Sequence, residues 1–186
     1  MSLPHALLTA LLERPCSGSE LAGRFDRSIG FFWQATHQQI YRELKRLEDL
    51  GWITALAPEA GRGRKRAYEV LPAGREELRR WTGEAREPKP LRDELMVRLR
   101  AEAVIGPTDL VRDIESRLAQ HLEKLALYQE IERRDFSDGA ASRQRELQHL
   151  VLQAGVMAET LWVDFCRKAI AVLATDEDAG TISRGS

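Results

Sequence analysis

Two cysteines, Cys16 and Cys166, are all that the 186 residues contain, and they lie far apart. Without a Cys-x-x-Cys pair they support neither a zinc site nor a disulfide framework, and a reducing cytoplasm is the simplest home. No apolar run approaches the ~20 residues that a membrane-spanning helix needs. No charged-apolar-small pattern of a signal peptide opens the chain. The expectation is a cytoplasmic protein with no membrane partner. Gly-rich phosphate loops and Gly-x-Ser-x-Gly are missing as well, and His5, His37, His121 and His149 are scattered, with no two on one helix face. The residues thus supply no nucleophile-base set, metal-ligand set or cofactor fingerprint, and neither an enzyme nor a cofactor is expected. Strong net charge is lacking too, at −1 overall. Its distribution is uneven: residues 1–90 hold 15 Lys/Arg against 12 Asp/Glu, and residues 91–186 hold 13 against 17. An anionic partner should therefore meet the N-terminal half.

The most informative stretch is residues 35–70, ATHQQIYRELKRLEDLGWITALAPEAGRGRKRAYEV. Ile40, Leu44, Leu47 and Leu50 recur at spacings of three and four, which predicts a helix with one apolar face. Thr36 and Gln39 form a capping-box signature at its start, and Gly51 supplies a left-handed stop. The opposite face carries Gln38, Arg42, Lys45 and Asp49, with Gln39 and Arg46 beside them. Such side chains hydrogen-bond base edges or neutralise phosphates, although any solvated helix face is polar. Trp52 and Ile53 then open a β-prone run, and Lys65 to Val70 alternates polar and apolar as a half-buried strand does. The connection holds Pro58, Gly61 and Gly63, so the two runs read as a hairpin. Arg62, Arg64, Lys65 and Arg66 cluster at its end with no acid among them, which suits a phosphate backbone. A basic helix followed directly by a basic hairpin is the pattern of a winged helix.

The flanking elements fit that pattern. Leu3, Leu7, Leu8, Leu11 and Leu12 predict a first helix over residues 3–14, and Ser17 with Glu20 caps a second to about Ile29. The aromatic triplet Phe31, Phe32 and Trp33 is read as core under the third helix, with a share in a ligand pocket as the functional alternative. A fourth helix is predicted from Pro72 to about Ala85, with Leu78 and Trp81 inward, before the proline-punctuated EPKP at 87–90.

LLTALLERPCSGSELAGRF, IYRELKRLEDLGWI and GRGRKRAYEVLPAGREELRRW together resemble the PadR family of bacterial transcriptional regulators, over roughly residues 3–83. The remainder is similar, more loosely, to the helical dimerisation region of that family's longer members. The resemblance implies a phosphate contact by Tyr41, which the residues alone give only as a half-buried ring. In the winged-helix reading Thr36, whose role as the cap alone would explain it, would also lie at the helix end nearest the DNA backbone, where backbone N–H groups favour phosphate.

Beyond residue 90 the chain reads as helices over 91–105, from Pro107 or Thr108 to beyond Ile131, and from about Ser142 to Leu173, with a turn at Ser137, Asp138 and Gly139. In the second, Leu110, Ile114, Leu118, Leu122 or Leu125, Tyr128 and Ile131 keep a three/four spacing; in the third, Leu147, Val151, Ala154, Ala158, Leu161 and Phe165 do so, widened by Leu150, Met157 and Trp162. Stripes this wide call for a further partner, and a homodimer is the economical one.

The expected fold is mainly α with a small β-hairpin: a winged helix-turn-helix domain over 1–86, a linker over 87–90, an α-helical dimerisation domain over 91–174 and a disordered tail over 175–186. The expected function is a homodimeric, sequence-specific DNA-binding transcriptional regulator acting on a pseudo-palindromic operator. Double-stranded DNA would meet Thr36, Gln38, Gln39, Tyr41, Arg42, Lys45, Arg62, Arg64, Lys65 and Arg66, and the second copy would meet Leu147, Val151, Ala154, Leu161 and Phe165. The resemblance further implies a small aromatic or drug-like effector, for which Tyr128, Met157 and Trp162 are the candidate pocket, though core packing alone accounts for them. The alternative is a winged helix used as a protein-interaction or non-specific nucleic-acid-binding module.

Overall fold

The computed structural model describes residues 3–27, 35–56, 66–87, 92–137 and 142–182. The aromatic triplet Phe31 to Trp33, the hairpin tip with Arg62, Arg64 and Lys65, the prolines of the linker, the turn residues Asp138 and Gly139, and residues 183–186 lie outside that set. The chain divides into two units, Met1–Pro88 and Lys89–Ser186.

The first unit runs α1 (Leu3–Glu13), β1 (Cys16–Ser17), α2 (Gly18–Arg27), α3 (His37–Asp49), β2 (Ile53–Ala55), β3 (Ala67–Val70) and α4 (Pro72–Thr82). The starts of α2 and α4 are written locally. Ser17 Oγ accepts from the Glu20 N–H at 3.3 Å while the Ser17 N–H donates to Glu20 Oε2 at 2.8 Å, the reciprocal bonds of a capping box. Pro72 sits in the first turn of α4, where its missing N–H costs nothing. That helix ends at Thr82 rather than near Ala85, because Gly83 takes the cap. At the far end of α1, the Arg24 guanidinium donates to the Ala10 and Arg14 carbonyls at 2.7 and 3.2 Å and pairs with Glu13 at 3.0 Å. It thereby ties α2 to the C-terminal end of α1, sharing the Ala10 carbonyl with the Arg14 N–H.

The three strands form an antiparallel sheet in the order β1-β3-β2. Ile53 faces Val70 across the hairpin, and Cys16 faces Tyr68 on its other edge. The expected hairpin is present, and β1 adds a strand that two residues of sequence cannot announce. Leu7, Leu8, Leu11, Leu21, Phe25, Ile40, Leu44 and Leu47 fill the core, closed by Ile53 and Val70 from the sheet. His5 joins α1 to α4: its ring stacks on Trp81 at 4.3 Å, and Nε2 lies 3.0 Å from Glu77 Oε1. Arg80 grips the same carboxylate with two bonds of 2.7 Å. These hydrogen bonds, Arg80's the stronger, hold the Glu77 carboxyl down to about 2.

The second unit holds α5 (Glu94–Ile105), α6 (Leu110–Phe136) and α7 (Arg143–Ile182). Asp93 caps α5 through the Leu95 N–H at 2.9 Å, so the helix begins three residues later than its apolar run suggests. The pairs His121–Glu159 and Glu132–His149 make α6 and α7 antiparallel neighbours, 2.5 and 2.7 Å apart at the contacting atoms. Leu95, Leu110, Ile114, Cys166 and Ala169 form the buried cluster, with Leu99, Leu118, Trp162 and Phe165 around it. Burial pushes the Cys166 thiol upward in pKa, against the opposing charge of Arg117. On α6, Leu125 is the half-buried member of the alternative left open by spacing, and Leu122 is exposed. The last helix does not stop at Leu173. Residues 174–182 contain no proline, and the helix continues through Gly180 to Ile182 where a disordered tail was expected from residue 175.

Candidate nucleic-acid interface

Helix α3 is anchored on one side and open on the other. Ile40, Leu44 and Leu47 are fully buried, each exposed by no more than 1%. Thr36, Gln38, Gln39, Tyr41, Arg42 and Lys45 are exposed. Both ends are fixed by the chain itself. The Gln39 N–H donates to Thr36 Oγ1 at 3.3 Å and Gln39 Oε1 accepts from the Thr36 N–H at 2.9 Å. At the other end Gly51, at φ +68°, and Trp52 donate to the Glu48 and Leu47 carbonyls at 2.9 Å each, the paired bonds of a Schellman motif. A helix held at both termini and along one face presents its remaining side chains with little freedom to drift.

The charges on the open face are ordered along the helix. Arg46 is committed to Glu43 at 2.6 Å. Arg42 and Lys45 make no ion pair among the described residues, and they stand with Gln38 on the N-terminal two thirds of α3. Glu48 and Asp49 are exposed at the C-terminal end. Positive side chains near the positive pole of the helix dipole make that end the attractive one for an anion. Gln39 spends its carbonyl oxygen on the cap, which leaves its amide N–H groups for any partner.

Tyr41 has a specific seat. A Cβ added to Gly18 would come within 2.7 Å of Tyr41 Cε1 and 3.3 Å of Leu44 Cδ1, so the ring lies across the first residue of α2 and a larger side chain there would push it aside. The ring is 47% exposed, the half-buried state expected from its place beside the apolar stripe. Tyr68 on β3 is held above the usual tyrosine pKa by burial, with the negative charge of Glu48 adding to it. Arg66 is exposed at the foot of β3. Of the ten residues expected at a DNA surface, six thus stand in or beside the N-terminal part of α3 and Arg66 stands on the hairpin; the other three lie outside the described residues. Sequence spacing gave no sign of Gly18 or of β1, because both act by touching residues distant along the chain.

In the second unit, Leu147, Val151, Ala154 and Leu161 are exposed, while Phe165 packs edge-on against Trp162 at 5.7 Å. With Leu150 and Met157, the large apolar residues of this stripe are between 49% and 71% exposed. The face of α7 that meets α6 is a different one, carrying His149, Gly155, Glu159 and Trp162. Tyr128 is buried with its ring over Gly155, Trp162 stacks on His121 at 5.5 Å, and Met157 points away from both into the open. Burial, with Glu159 nearby, raises the Tyr128 pKa.

The comparisons with known proteins agree with this anatomy. Residues 7–80 match the model of the transcriptional regulator PadR-like family, and residues 91–174 match that of the virulence activator alpha C-terminal region. The chain is 40% identical over 177 residues to the probable transcriptional regulator Rv1176c of Mycobacterium tuberculosis, covering 89% of this chain and 94% of that one. Its fold is similar to that of the virulence activator AphA of Vibrio cholerae, with a TM-score of 0.78 at 29% identity over 94% of this chain and 99% of that one. It is also similar to PadR of Bacillus subtilis in complex with operator DNA, with a TM-score of 0.78 at 26% identity over 93% and 99%. The same protein in complex with p-coumaric acid gives 0.75 at 25% over 94% and 99%. With a helix held for presentation in the first unit, a helical second unit, and a relative matched nearly end to end, the chain belongs to the PadR-like family of transcriptional regulators.

Proposed function

We propose that the protein works as a homodimer, each copy laying α3 in a major groove of a pseudo-palindromic operator. The observation that carries this reading is the open face of α3: Arg42 and Lys45, which make no ion pair among the described residues, stand next to Gln38 on a helix whose other face is locked by Ile40, Leu44 and Leu47. Arg and Gln are the side chains that read guanine and adenine edges in pairs of hydrogen bonds, whereas Lys45, Thr36, Tyr41 and the wing cations Arg62, Arg64, Lys65 and Arg66 serve the backbone. Gln39, half spent on the cap, fixes the helix start more than it reads a base. The operator complex of the Bacillus subtilis relative supports the partner.

The second copy covers the stripe of Leu147, Val151, Ala154 and Leu161. Leaving it in water forgoes about 1.5–3 kcal/mol for each large apolar side chain. A closed two-fold pair then sets the half-sites about 10 bp apart or a small multiple of that. A small-molecule effector completes the reading; the relative's complex with p-coumaric acid supports a small-molecule partner, not its place in the chain.

The experiment compares Arg42→Ala with Arg66→Ala on a preferred duplex and on its single-base variants. Arg42→Ala should cost about 1–3 kcal/mol on the preferred duplex and flatten discrimination at one base pair. Arg66→Ala should weaken all duplexes alike and reduce the salt dependence. Equal behaviour of the two variants would refute the division of labour.

A further inference from the structure

Between the C-terminal half of α5, the turn at Gly106 and Pro107, and the stretch of α7 from Phe165 to Leu173 lies a cavity of about 500 Å³. Its walls are apolar, with Leu99, Phe165, Ala169 and Leu173 among them, and two charged side chains line it, Glu102 and Lys168. The two differ in kind. Lys168 is exposed and its ammonium is solvated. Glu102 is only 9% exposed, a carboxylate set in the wall of an apolar space.

The partners of Glu102 are neutral. Thr108 donates its N–H to Oε1 at 3.3 Å and its hydroxyl to Oε2 at 2.6 Å. The hydroxyl's direction is fixed, since Thr108 Oγ1 itself accepts from the Leu110 N–H at 3.2 Å and has one proton to give. No cation stands within ion-pairing distance of Glu102 among the described residues. A carboxylate offers about four lone-pair sites, of which these bonds use two. Buried charges in proteins are ordinarily paired, because an unpaired one is costly in a low-dielectric setting. The geometry points to a ligand that supplies the missing charge: an amphiphilic amine, its apolar body among Leu99, Phe165 and Leu173 and its ammonium on Glu102. Lys168 does not set the opposite preference, because an exposed charge is screened by water and salt while a buried one is not.

This names the effector class for the second unit and rests on the proposed regulatory reading only for its biological meaning. Binding is measured without DNA, so failure here and failure of operator recognition are separate results. The full-length protein is titrated calorimetrically with phenylbutylamine and with phenylbutyrate, which share an apolar body and differ in charge. The amine should bind once per protomer and about tenfold or more tighter than the acid. Glu102→Gln should lower amine affinity about tenfold or more, and Lys168→Ala should leave it unchanged or raise it. Equal or better binding of the acid would overturn the assignment, as would full amine affinity in Glu102→Gln. Binding of neither compound, the outcome when a second copy fills the groove, would overturn it too. If Glu102→Gln loses its helical circular dichroism, the charge preference of the unaltered protein and the Lys168→Ala result decide.

Discussion

Helices α3 and α7 carry the same signal in sequence, apolar residues at spacings of three and four, and the folded chain treats them oppositely. In α3 the stripe of Ile40, Leu44 and Leu47 is sealed into the unit's own core. In α7 the stripe of Leu147, Val151 and Leu161 stands in solvent, and the helix packs on α6 through another face. A period fixes which side chains share a face. It does not fix what covers that face, and a helix with two apolar faces has one to spare. In the proposed function that spare face would take a second copy, while α3 would turn its polar side to DNA.

Charging the exposed stripe should break the comparison most severely. Leu161→Glu with Leu150→Glu should give a folded monomer by sedimentation, and operator affinity should fall about 100-fold or more as bivalent engagement is lost. The same treatment of α3 has a different consequence. Leu44→Ala should cost the first unit about 2–5 kcal/mol, read as a lowered unfolding midpoint, with the oligomeric state unchanged. A smaller effect sharpens the picture of a helix pinned for presentation. Thr36→Ala removes the cap from α3 and should cost about 1 kcal/mol of stability by denaturant titration, while Thr36→Ser should restore it.

The smallest expected effect concerns acid. The folded Glu77 carboxyl is depressed to about 2 from its ordinary 4.5. Its hydrogen bonds to Arg80 and His5 therefore add stability above pH 4.5 that is lost as pH falls through that value toward 2. Glu77→Gln should lower stability at neutral pH slightly and flatten the acid limb of the unfolding midpoint of the first unit. An unchanged acid limb would show that the pair stabilises nothing.

Much of the first unit was legible because its determinants are local. The Thr36–Gln39 box, the Gly51 stop and the buried face of α3 all lie within sixteen residues, and each acts through bonds to its near neighbours. What stayed hidden depends on contacts across the chain. The strand β1 exists because Tyr68 and Ala67 pair with Cys16 and Ser17, and Gly18 is small because Tyr41 lies on it. The cavity residue Glu102 has no local mark in the sequence; only the fold of the α5–α6 turn buries it. The expected end of α7 also falls short, since aspartate and threonine are weak helix formers that do not stop a helix, and glutamate and alanine among them favour it.

The central claim is tested most directly by fluorescence anisotropy of the full-length protein against duplexes tiled across the region upstream of its own gene, at two salt concentrations, with stoichiometry taken at saturation. The account predicts one preferred duplex, retained at the higher salt, that binds two protomers. Uniform binding to every duplex, lost together as salt rises, or a preferred duplex saturated by one protomer, would contradict it.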